Sequence, residues 1–85
     1  MSNTGKEGVV FVLNNHTGNF TKTLAQSMRS LGVYECTAET EIIVNKGTTS
    51  EVTIITQEAF DDAFYNGILT IEINTVGTFN LVVRG

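Results

Sequence analysis

His16 is the one histidine of this 85-residue chain and Cys36 its one cysteine. These are the two side chains whose ordinary chemistry suits proton transfer or nucleophilic attack near neutral pH. His16 lies in the polar run Asn14-Asn15-His16-Thr17-Gly18, without a neighbouring cysteine or serine signature, and reads as a turn residue. Cys36 alternates with Tyr34 and Ala38 along an inward face, so it reads as a small buried hydrophobe. Glu58, Asp61 and Asp62 cluster three carboxylates, but their spacing matches no calcium loop and no second ligand set accompanies them. No catalytic, cofactor-binding or metal-ligating residue is expected, and the chain reads as non-enzymatic.

Two binding motifs fail on particular residues. If Lys22-Thr23 closed a phosphate-binding loop, glycines would be required at positions 16 and 21, where His16 and Thr21 stand. Without them the backbone cannot wrap a phosphate. Asn15-His16-Thr17 and Asn19-Phe20-Thr21 are formal glycosylation sequons. The apolar run Val9 to Leu13 is too short for a signal-peptide core, however, and nothing approaches a membrane span. Synthesis in the cytoplasm is expected, with no membrane partner.

The net charge is −4, which opposes general affinity for nucleic acid. It is unevenly distributed. Between Tyr34 and Asp62 seven acids, among them Glu35, Glu39 and Glu41, face Lys46 alone, a balance of −6, and the rest of the chain carries +2. Such asymmetry suits head-to-tail contact between copies, or contact with a basic partner.

The elements that must position these residues follow from apolar spacing. Val9 to Asn14 is apolar on both faces and reads as a central strand. Phe20, Leu24, Met28 and Leu31 recur at four, four and three, the stripe of a helix that Gly32 would close. Val33 to Asn45 alternates as one long strand, Asn45-Lys46-Gly47-Thr48 turns it, and Glu51 to Thr56 returns. Gln57 to Asn66 gathers Ala59, Phe60, Ala63 and Phe64 as a second, short helix. Ile68 to Asn74 and Thr78 to Arg84 alternate again and read as a C-terminal hairpin about Val76-Gly77. The expected fold is α+β, a single domain over 1–85 with a polar arm at 1–7. Its order β-α-β-β-α-β-β would be a ferredoxin-like split β-α-β sheet with one added strand and helices on one face.

Helices on one face would leave the other apolar face of the first strand uncovered, and a protein surface is the economical cover. The larger side chains of Phe11 and Leu13 favour that parity inward, so Val10 and Val12 are the expected contact residues, with acidic Glu35, Glu39 and Glu41 as further candidates. Val10-Phe11-Val12-Leu13-Asn14 also resembles the first-strand motif of an RNA-recognition domain, which implies base stacking on Phe11. Glu51 to Thr56 lacks the aromatic and basic residues that such a domain carries on its third strand.

Thirteen Thr, eight Asn and eight Gly accompany no Pro and only 16% charged residues. In this the chain resembles small structural proteins of tailed-bacteriophage virions. That resemblance implies capsid decoration, cement or a head–tail accessory role, built on docking to protein partners or to copies of itself. A small acidic inhibitor of a host protein is the alternative in another class.

Overall fold

The computed structural model describes residues 10–85; the polar arm at 1–7 and the first residue of the expected leading strand, Val9, lie outside them. The described residues form six strands: β1 (Val10–Thr17), β2 (Phe20–Tyr34), β3 (Thr40–Val44), β4 (Val52–Thr56), β5 (Phe60–Thr75) and β6 (Thr78–Arg84). All pair antiparallel in one sheet of order β1-β6-β2-β5-β3-β4. There is no helix among the described residues, so the expected α+β, ferredoxin-like fold is overturned; the fold is all-β. Both expected helices are long strands.

β2 and β5 are the spine. Phe20 to Thr23 pair with Ile73 to Thr70, and Ser30 to Val33 pair with Ala63 to Phe60. Between these stretches the ladder is irregular, holding only Met28 opposite Ile68. The sheet folds over at this irregularity. One half is β1-β6 with the C-terminal part of β2 and the N-terminal part of β5; the other is the remaining parts of β2 and β5 with β3-β4. Folding is required by contacts between strands that are not neighbours in the sheet. Phe11 of β1 stacks on Phe20 of β2 with ring centroids 6.0 Å apart, although β6 lies between those strands. A shortest dimension of 18 Å fits two layers, since stacked sheets lie about 10 Å apart.

The core lies between the halves. From the first come Leu31, Val33, Phe79, Leu81 and Val83; from the second, Ile42, Val44, Ile71 and Ile73, all at most 2% exposed. Met28 and Ile68 fill the fold line itself. β6 shows the alternation of a half-buried strand, which is why it was legible as one, whereas β3 buries Ile42, Ile43 and Val44 in succession.

Three smaller expectations also change. The long strand over Val33 to Asn45 breaks at Glu35, whose φ of 55° lies in the left-handed region, and resumes at Thr40. The C-terminal hairpin is absent: β5 and β6 are consecutive but flank β2 on opposite sides, and β6 enters between β1 and β2. β1 is an edge strand and not a central one.

Asn45, 6% exposed, ties the β3–β4 loop to the bend of β5. Its side-chain amide donates to the Gly67 carbonyl at 2.9 Å and its Oδ1 accepts from the Leu69 N–H at 2.8 Å. Its own N–H donates to the Thr70 carbonyl at 2.9 Å. Asn45 has φ 57° and Gly67 φ 83°, conformations that Asn and Gly tolerate best.

Candidate interaction face

The register places a defined set of side chains on the outside of the first half. Val10 stands opposite Arg84 and Val12 opposite Val82. Arg84, Val82 and Asn80 stand in turn opposite Ser30, Gly32 and Tyr34, and Asp61 opposite Gly32. Residues directly opposite in a sheet share a face. Val10, Val12, Val82, Tyr34, Arg84 and Asp61 therefore form one surface, while Phe11 and Leu13 turn inward against the core. Val10 is 49% and Val12 48% exposed.

Gly32 lies at the middle of this face, beneath the ring of Tyr34: a Cβ there would collide with the Tyr34 hydroxyl. That hydroxyl donates to a carboxylate oxygen of Asp61. The bond to Asp61 is the main reason that the phenol titrates above its ordinary value; burial and the Asp61 charge add to the rise, and Arg84 opposes it. The folded chain thus retains a proton that the unfolded chain releases from about pH 10. The stabilisation is complete below that pH and is lost as pH rises through the folded value. Tyr34→Phe should remove this alkaline component of the unfolding midpoint, measured by denaturant titration across the alkaline range. An unchanged alkaline slope would show that the phenol does not contribute it.

The outer surface of the second half differs in chemistry. Thr21 and Thr23 stand opposite Glu72 and Thr70, and Glu41 stands between Asn74 and Ile55. Asn74 donates to Glu41 at 3.0 Å and to Glu72 at 2.9 Å, and Lys46 pairs with Glu72 at 3.2 Å. The Asn74 bond first, then Lys46, hold the Glu72 carboxyl below its ordinary range, against a smaller opposing effect of burial. An open groove of about 550 Å³ runs past Asn19, Glu39, Glu41, Ile55 and Val76.

The remaining sequence candidates are scattered. Glu35 accepts a bond from Asn80 at 2.9 Å at the far end of β6, so it is not grouped with Glu39 and Glu41. His16 lies between the rings of Phe20 and Phe79, each centroid 5.4 Å away, with Nε2 3.1 Å from the Asn19 carbonyl oxygen. Cys36 is half-buried against the core, its N–H bonded to the Glu58 carbonyl at 3.0 Å. Among the described residues no group of three or more His, Cys, Asp or Glu is placed to hold a metal ion. Phe11, the base-stacking candidate, is engaged by Phe20, and Lys22 Nζ lies 5.0 Å from its ring centroid. Sequence reasoning did not find Val82, Tyr34 or Asp61 as face residues; Tyr34 and Asp61 were separated from β1 by helices that do not exist.

No protein-family model, curated protein or solved structure matches this chain.

Proposed function

We propose that this protein is a non-enzymatic assembly component that docks on protein through the outer face of β1, β6 and β2. One observation carries the reading: Val10 and Val12, each about half exposed, line up with Val82 on a surface where one cation and one anion offset each other. Apolar surface next to a polar rim of this kind is what protein interfaces cover. The compositional resemblance to phage virion proteins supplies the setting, a decoration, cement or accessory part. The all-β fold removes the β-α-β-β-α-β order on which RNA recognition relied, and Phe11 is not free to stack a base.

Val12→Glu tests the proposal. Val12 points outward, so the variant should keep the wild-type circular dichroism spectrum, while a carboxylate held in a covered apolar contact is costly. Sedimentation velocity should then show loss of the complexes that the wild-type chain forms. A folded variant that assembles like wild type removes this face from the reading.

A further inference from the structure

Among the described residues the sheet ends at β1 on one side and β4 on the other, and neither strand has a partner beyond it there. Soluble proteins commonly protect such edges with proline, lysine, a bulge or a covering segment. β4, Val52-Thr53-Ile54-Ile55-Thr56, has neither proline nor lysine and pairs in unbroken register with β3. Val52 and Ile55 on it are 39% and 59% exposed. β1 is bulged only beyond Leu13, leaving Val10 to Leu13 regular.

The direction of the free hydrogen bonds on β4 can be derived. The Asn45 N–H bonds to Thr70 of β5, in register with the β3–β5 ladder. Backbone groups alternate sides along a strand, so Glu41 and Ile43 bond toward β5, and Ile42 and Val44 bond toward β4. Ile54 and Val52 are their partners. Thr53 and Ile55 consequently direct both N–H and C=O to the open edge.

The two edges differ in charge. Beside β4 stand Glu41, cross-strand from Ile55, with Glu51 and Glu58 flanking the strand and Lys46 in the preceding loop. Beside β1 stand Arg84, opposite Val10, and Lys22 over Phe11, with Glu35 near the far end of β6. Antiparallel pairing of two β4 edges about Ile54 would bring Glu51 of one copy beside Glu58 of the other. Pairing β1 with β4 brings a cationic edge to an anionic one.

We infer that the occupant of the β4 edge is β1 of a second copy of this chain, added as an extra strand by main-chain hydrogen bonds. The inference rests on the docking reading of β1 and gives it a partner and a direction. The contact is heterologous, since each copy offers a different edge at its two ends. Repetition therefore yields a ring or an open filament, not a closed dimer.

Two variants and their mixture test it by sedimentation velocity, with folding monitored by circular dichroism. Ile55→Pro deletes an outward N–H without touching a β3 bond, and Val10→Glu combined with Val12→Glu places two carboxylates against the acidic edge. The wild-type chain should form species larger than dimers that dissociate as salt is raised. Each variant alone should be monomeric, and their equimolar mixture should give 1:1 dimers through the one intact β1 and one intact β4. Should Ile55→Pro not fold, Thr53→Pro removes the other outward N–H. A folded β4 variant that assembles like wild type overturns the inference but leaves docking through β1 standing. If the β1 variant assembles like wild type, both fall. A wild-type chain that is monomeric at every concentration, or a mixture without dimers, also overturns the head-to-tail pairing.

Discussion

Phe79→Ala should remove roughly half of the folding stability of this domain. Phe79 is 1% exposed, the largest fully buried side chain, and it sits where β6 meets the second half of the sheet. Truncating a buried phenylalanine costs about 3–5 kcal/mol, the lost transfer energy plus the cavity left behind. An 85-residue domain has a total margin of roughly 5–10 kcal/mol. The substitution also removes one of the two rings that flank His16, loosening the β1–β2 connection. Denaturant titration should show the midpoint falling to roughly half its wild-type value at unchanged slope. A loss below about 1 kcal/mol would mean that β6 does not face the core as described.

Asn45→Ala should be nearly as damaging, for a different reason. The side chain satisfies the Gly67 carbonyl and the Leu69 N–H, and alanine would leave both without their partner at a part-buried bend. At this part-buried bend each such group costs about 1–2 kcal/mol, the lower part of the usual range, and alanine at φ 57° adds about 1 kcal/mol of backbone strain. The expected total is about 3–5 kcal/mol. Asn45→Gly separates the contributions: it relieves the strain but still forfeits the bonds, so it should be less destabilising than alanine while remaining well below wild type. If Asn45→Gly matched wild type in denaturant titration, the clamp would be decorative.

The inward position of Phe79 was legible in the alternation of Thr78 to Arg84, but what Phe79 and Asn45 pack against was not, because β2 and β5 imitate helices. In β2 the inward residues are even-numbered at Phe20 and Leu24 and odd-numbered at Leu31 and Val33. β5 changes phase as well, from Phe60 and Phe64 to Ile71 and Ile73. The change falls where the ladder between them is irregular. A strand that changes phase once produces spacings of three and four over a short window, which is the signature of a helical stripe. Strands without a phase change were legible: β6 from its alternation, β3 within the longer alternating run Val33 to Asn45, and β4 as a short apolar run after the turn. Alternation reports which side chains share a face and nothing about which strand lies alongside, so Ile68–Asn74 and Thr78–Arg84 were read correctly as extended and wrongly as partners. The inward parity of Phe11 followed from side-chain size, even though the sheet, and not helices, covers it.

The position of β6 has a consequence for the order in which the molecule can form. β6 is inserted between β1 and β2, with Phe11 opposite Val83 on one side and Leu31 opposite Val83 on the other. Among the described residues β1 pairs with no other strand, so no ladder there holds it in the sheet before β6 arrives. Closure of that ladder joins residues about seventy positions apart, and non-local pairings of this kind slow folding. Among the described residues the β3–β4 hairpin is the one local pair available to start from. During synthesis, Val10 to Leu13 must therefore wait as an unpaired apolar segment until the ribosome has released Thr78 to Arg84, and a neighbouring chain's open β4 edge is the competitor for it in that interval.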